Sequence, residues 1–95
     1  MSRCLHCIVS GMVQGVFFRA FTVDAARSLR LRGWVRNLPD GRVETLAEGE
    51  RESLERFRRW LHDGSPLSRV ARVEAAWLDA DDGRCSGLTD FRVRK

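Results

Sequence analysis

The sequence predicts an α+β fold: a βαββαβ sandwich with two helices on one face of an antiparallel sheet, plus a short C-terminal strand. Three observations predict it. Apolar residues alternate at period two in four segments, recur at three- and four-residue spacing in two others, and turn residues punctuate the joints. At 95 residues the chain is read as one domain, residues 1–95, able to bury a modest core without metals or disulfides.

Leu5 to Ser10 reads as a buried first strand, with Leu5, Cys7 and Val9 along one face. Gly11-Met12-Val13-Gln14-Gly15 follows as a loop with a glycine at each end. A helix runs from Phe17 or Phe18 to Arg30, where Phe18, Phe21, Thr22, Ala25 and Leu29 share a face. Arg27 and Arg30 suit the negative end of its dipole. Gly33 to Leu38 and Arg42 to Glu48 are two strands joined through Pro39-Asp40-Gly41, a turn signature. Alternation sets Val35 on one face and Trp34 and Arg36 on the other; Val43, Thr45 and Ala47 share a face, and Gly49 ends the strand.

The second helix spans Glu50 to His62, with Leu54, Phe57 and Leu61 as its apolar face and Gly64 as its stop. Ser65-Pro66 is a loop, and Val70 to Leu78 a strand in which Val73, Ala75 and Trp77 alternate. Asp81 to Thr89 is a polar loop before the short strand Phe91-Arg92-Val93. This order is the ferredoxin-like split βαβ arrangement, whose second sheet face is the more open one.

Composition narrows the function. Hydrophobic residues make up 43% and charged residues 32%, with both signs interspersed, which is not a disordered composition. There is no apolar run of about 18 residues to cross a membrane. The first nine residues, Met1 to Val9, hold too short an apolar run for a secretory signal and show no cleavage site. A cytoplasmic protein is expected. The net charge of +4, carried almost wholly by arginine, draws anionic substrates but equally suits nucleic acid.

The odd set Cys4, Cys7 and Cys85 argues against a disulfide framework. Cys4 and Cys7 form a C-x-x-C, but on a strand they face opposite ways and can neither chelate a metal nor bridge. His6 and His62 lie in unrelated elements, so no catalytic histidine is expected. Arg56, Arg58 and Arg59 read as a solvated helix face, and Trp34, Trp60 and Trp77 as packing residues.

Two segments carry the functional signal. The strand–glycine-loop–helix from Gly11 to Arg19 can curl backbone N–H groups round an anion at the positive end of a helix. Arg19, in or near the first turn, can grip two phosphate oxygens at once. The segment lacks both the nucleotide P-loop and the dinucleotide glycine pattern, which excludes ATP and NAD as expected ligands. The second segment, Gly33 to Gly41, places Asn37 at the end of a strand, where its amide can hold a water. Asp40 and Gly41 belong to the turn, and Gln14 to the structure of the first loop.

Gly11-Met12-Val13-Gln14-Gly15-Val16-Phe17-Phe18-Arg19 resembles the phosphate loop of the acylphosphatase family, G-x-V-Q-G-V-x-F-R. Gly33-Trp34-Val35-Arg36-Asn37-Leu38-Pro39-Asp40-Gly41 resembles its G-W-V-x-N-x-x-D-G block, in the right order and separation. Gly49, the second helix, the Ser-Pro loop and the terminal Phe-x-Val extend the likeness to nearly the whole chain. The resemblance implies hydrolysis of acyl phosphates without metal or cofactor. Phosphate or other oxyanions are expected to bind as product or inhibitor, and nothing in the sequence demands more than a monomer. It implies Arg19 and Asn37 as catalytic residues. Gly11, Met12, Val13, Gln14, Gly15, Val16, Phe17, Phe18 and Arg19 would form the phosphate loop. The Cys4-x-x-Cys7 pair lies outside the family pattern.

Two rival readings remain at this stage. RNA-recognition domains share the topology but need aromatics on their central strands, and neither the first nor the third strand carries one. Acylphosphatase-like domains also occur inside larger carbamoyl-transfer proteins, which leaves a binding or regulatory module as the other alternative.

Overall fold

The structure, a computed structural model, describes residues 2–79 and 81–95. Its elements are β1 (Ser2–Met12), α1 (Phe18–Ser28), β2 (Arg32–Asn37), β3 (Val43–Glu50), α2 (Arg51–Asp63), β4 (Arg69–Leu78) and β5 (Phe91–Val93). A short 3-10 turn at Gly83–Cys85 precedes β5. The strands form one sheet in the order β4-β1-β3-β2-β5. Three pairings are antiparallel, and β5 joins the β2 edge in parallel, which makes the sheet mixed. Strand β3 runs on through Gly49, which pairs with Arg3, rather than stopping there.

Both helices cover the same face. Leu5, Cys7 and Val9 of β1, Val35 of β2, and Val43 and Ala47 of β3 pack in one buried cluster with Phe18, Val23 and Ala26 of α1 and Leu54, Phe57 and Leu61 of α2. The burial of α2 follows the spacing expected of it. The buried arc of α1 is rotated: Phe18, Thr22 and Ala26 form the inner stripe, Val23 joins it, and Phe21 is 42% exposed. Helical spacing fits either flank of that stripe, and packing on the sheet selects the Val23 side. Cys7 is sealed in this core, where burial pushes its thiol up to about 12 and keeps it neutral.

The other face is partly covered. Cys4, Trp34 and Leu46 form a smaller cluster against which Leu78, Cys85 and Leu88 pack. The guanidiniums of Arg36 and Arg94 lie 5.4 and 4.9 Å from the Trp34 ring centroid. The loop before β5 brings Cys85 to Cys4, and the two form a disulfide with a Cα–Cα distance of 6.2 Å. This corrects the expectation drawn from the odd cysteine count. Cys4 and Cys7 do face opposite ways, so Cys7 is sequestered and the two remaining thiols meet. His6 is not isolated either: its Nε2 donates to Glu44 at 2.6 Å, and Arg36 Nε donates to the same carboxylate at 2.6 Å. Burial pushes the Glu44 carboxyl up, but these two bonds outweigh it and hold it below its ordinary value. The Arg32 bond holds Glu48 down in the same way.

The topology positions the site. Strands β1 and β2 each run antiparallel to the β3 between them, so they are parallel to each other and end at the same sheet edge. Strand β5 ends there too, and α1 begins there. Past Val9, β1 leaves β3 and stays paired with β4 alone, through a register shift between Ser10 and Gly11 that leaves Ala71 of β4 unpaired. Gly11 takes φ +126 there, and a Cβ would run into the Arg69 carbonyl of β4, so only glycine fits. Two clamps then fix the outgoing loop. Gln14 Nε2 donates to the carbonyls of Leu38 (2.9 Å) and Arg42 (3.0 Å) across the β2–β3 hairpin. The buried Ser65 hydroxyl donates to the Val16 carbonyl at 3.1 Å. Asp40 caps the hairpin turn by accepting from the Arg42 N–H, the turn role expected of it.

Two outcomes are expected. Cys85→Ser should lower unfolding stability in denaturant by about 2–4 kcal/mol. Turnover per folded molecule should hold, because Cys4 lies roughly 23 Å along β1 from Gly11; a large loss of turnover at full folding would contradict this placement. Glu44 and Glu48, with lowered folded-state values, add stability above the ordinary glutamate range near about 4.3 and lose it as pH falls through those lowered values. A melting temperature that falls in that acid window, less steeply in Glu44→Gln, is the expected result of a pH series.

Candidate active site

Helix α1 opens in an unusual way. Its N-cap is Phe17, with φ 59 and ψ 22, and no side chain caps the helix. Small polar residues are preferred at this position, and a bulky residue held in the left-handed region costs on the order of 1–3 kcal/mol. No acidic residue lies in the first turn. The Phe21 N–H donates to the Phe17 carbonyl at 3.1 Å, so the amides of Phe18, Arg19 and Ala20 have no acceptor within the helix. The amides of Gln14, Gly15, Val16 and Phe17 donate to no other backbone group among the described residues. Gly15 holds φ +74 within this run. The result is a cluster of N–H donors at the positive end of a helix, the elementary requirement for holding an anion.

Arg19 sits in that first turn, half-exposed, and makes no ion pair or hydrogen bond among the described residues. Its charge is therefore not neutralised by the protein. Asn37 is the last residue of β2, paired in register with Val43. Its Oδ1 is buried and has no hydrogen-bond partner. An acceptor left in that state costs about 1–3 kcal/mol, a cost removed when a water donates to it.

Both side chains line one cleft of roughly 380 Å³. Val13, Gly15, Phe17, Phe18, Arg19 and Ala20 supply its loop and helix wall; Asn37 and Val93 supply the sheet wall. This is room for a small ligand. Its lining holds no Asp, Glu, His or Cys, so it offers positive charge, N–H donors and one amide, with no side chain suited to general acid–base chemistry. A larger depression of roughly 710 Å³ at the start of α2 is walled by Arg3, Arg51 and Arg56 together with Glu50 and Glu52, so its charges are of both signs.

The residues named from the sequence fall into three groups. Val13, Gly15, Phe17, Phe18, Arg19 and Asn37 meet at the cleft. Gly11 turns the strand, Gln14 ties the loop to the hairpin and Val16 packs against the core, so these three shape the loop from behind. Met12 is 58% exposed and outside the cleft lining. Sequence reasoning did not identify Val93, Ala20 or the Ser65 clamp. The Ser-Pro loop was a signal for Ser65, whereas nothing in a three-residue strand says which sheet edge it joins.

Comparison with known proteins identifies the family. A sequence profile of the family described as Acylphosphatase matches residues 5–93. An acylphosphatase of Natronomonas pharaonis is 49% identical over 90 residues, covering 95% of this chain and 92% of its own. The structure of an acylphosphatase from Coxiella burnetii superposes with a TM-score of 0.88 at 43% identity, covering 98% of this chain and 93% of the other. That of an acylphosphatase from Bacillus subtilis gives 0.87 at 37% identity with full coverage of both chains. Matched along nearly its whole length in sequence and fold, the chain belongs to the acylphosphatase family, enzymes that hydrolyse acyl phosphates.

Proposed function

We propose that the Arg19–Asn37 cleft is where this chain hydrolyses acyl phosphates, with Arg19 and the loop amides holding the phosphoryl group and Asn37 holding the water. One observation carries the assignment: an arginine without a carboxylate partner and an asparagine whose amide oxygen is left without a donor line the same small cleft. The first calls for an anion and the second for a donor such as water.

The chemistry asks for little else. A carboxylate leaves easily, since its conjugate acid has a pKa near about 4, so no side chain need protonate it. The transition state is loose, and catalysis rests on positioning and charge stabilisation. Arg19 and the N–H groups from Gly15 to Ala20 stabilise the equatorial phosphoryl oxygens. A water that donates one hydrogen to Asn37 Oδ1 keeps a lone pair free to attack phosphorus in line with the leaving carboxylate. The bond from phosphorus to the acyl oxygen breaks, its electrons leave with the carboxylate, and the water's proton passes to a phosphate oxygen. No metal or cofactor enters this scheme.

The reading extends to one catalytic domain over residues 1–95, acting as a cytoplasmic monomer. No helix among the described residues is long and apolar enough to cross a membrane. In a reducing cytoplasm Cys4 and Cys85 would stand as two thiols, and their distance from the cleft makes activity indifferent to that state. RNA binding is disfavoured because β1 and β3 carry no aromatic residue on which a base could stack.

The test is hydrolysis of benzoyl phosphate in EDTA by the wild type and two variants. Arg19→Ala should lower kcat/KM roughly a hundredfold or more, about 3 kcal/mol, and weaken inhibition by phosphate in parallel. Asn37→Ala should lower kcat while largely retaining phosphate inhibition; a matching loss of phosphate affinity would refute the division of labour. The kcat profile should show no limb belonging to a protein side chain, since asparagine does not ionise and arginine stays charged. A sharp basic limb abolished by substituting one residue would count against late transfer of the proton to phosphate.

A further inference from the structure

Phe17 and Val93 have no evident structural use where they stand. Phe17 is 72% exposed, the most exposed large apolar side chain among the described residues, and its backbone is held at positive φ. It fills a helix N-cap without capping the helix. Burial does not hold it there, and glycine or asparagine would suit the backbone better. Val93 is 45% exposed at the end of β5, beside Val35 in register and close to the end of β2 that bears Asn37. Both side chains line the Arg19–Asn37 cleft, one on the helix wall and one on the sheet wall.

We infer that Phe17 and Val93 form the acyl-group subsite and make the enzyme selective for acyl phosphates with an apolar, above all an aromatic, acyl group. The inference rests on the reading that the phosphoryl group lies at Arg19 and the loop amides. With the phosphoryl group held there, the acyl group extends into the rest of the cleft, where Phe17 and Val93 stand on the two walls. A flat aromatic acyl group can pack against a phenyl ring and a branched aliphatic side chain at once, and aromatic pairs gain beyond area alone. A charged acyl group would lose hydration against these hydrocarbon walls, with no polar partner in return from either residue. Strain held in Phe17 is consistent with a residue kept for what it touches outside the fold.

The experiment measures kcat/KM for benzoyl phosphate and acetyl phosphate with the wild type, Phe17→Gly, Val93→Thr and Arg19→Ala. Phe17→Gly suits the backbone angle, and Val93→Thr keeps the side-chain shape, so folding is retained. The readout is the benzoyl-to-acetyl ratio, which a merely structural role would not move. The ratio should fall by about three- to tenfold in Phe17→Gly, and in the same direction, by less, in Val93→Thr. An unchanged ratio in Phe17→Gly, with both rates lowered alike or not at all, overturns the inference while the loss in Arg19→Ala leaves the phosphate site standing. Full turnover in Arg19→Ala would place the reaction elsewhere and overturn both readings.

Discussion

The site depends on one side-chain amide spanning a gap. Strands β1 and β2 end at the same sheet edge, but β3 lies between them, so neither strand's backbone can bond to the other. Arg19 follows β1 and Asn37 ends β2. Without a bridge, the loop carrying Arg19 would be free to drift from the strand carrying Asn37. Gln14 supplies that bridge by donating from one nitrogen to two carbonyls, Leu38 and Arg42, which flank the hairpin turn. The same carbonyls take part in closing the turn, through Gly41 N–H to Leu38 and Leu38 N–H to Arg42. The loop is therefore tied to a rigid hairpin, and Ser65 fixes its far end to the segment after α2. Precision of this kind matters because a misplacement of about 1 Å can cost on the order of a hundredfold in rate.

Much of this was legible in the sequence, for physical reasons that are local. Period-two alternation set the faces of β1, β2 and β3, and so placed Val35 and Val43 in the core and Trp34 on the far side. Glycines, Pro39 and Asp40 marked where the chain must turn. Asn37 at a strand end and Arg19 in a first helical turn followed from those boundaries, while their pairing in one site was implied by the family resemblance. What stayed hidden depends on contacts between distant segments. The Cys4–Cys85 bond needs the loop before β5 to fold across the open face, which no spacing encodes. The exposure of Phe21 in place of Val23 is decided by which flank of α1 the sheet accepts. Val93 reaches the cleft only because β5 adds to the β2 edge in parallel.

Charge is distributed so that the site is positive without the whole surface being so. Away from the cleft, several guanidiniums are answered locally: Arg32 by Glu48, Arg36 by Glu44, Arg42 by Asp40, Arg84 by Asp82. Others lie against aromatic rings, Arg3 and Arg51 over Trp77 and Arg94 over Trp34. Pairs this exposed add little stability, but they shorten the reach of the charges they neutralise. Arg19 lacks such a partner, and the helix it belongs to has no acid in its first turn. The net charge of +4 steers anions weakly from a distance, while the field at the cleft comes from one guanidinium and a set of backbone dipoles.

The two faces of the sheet thus have different duties. The helix face is closed by hydrocarbon, and even its thiol, Cys7, is kept inert by burial. The open face is closed piecemeal, by the disulfide, the Trp34 stack and the His6–Glu44–Arg36 cluster, none of which reaches the cleft edge. Stability and chemistry are separated along the strands as well as across them: the disulfide holds the start of β1, and the loop that carries Arg19 leaves its other end after Met12. Changes to the open face should therefore act through folding, and changes at the strand ends through turnover. Phe17 breaks this separation, since it carries backbone strain while lining the cleft. Such strain persists only where neighbours over-determine the local conformation, and here the Gln14 and Ser65 clamps on either side of Gly15 and Val16 provide that determination.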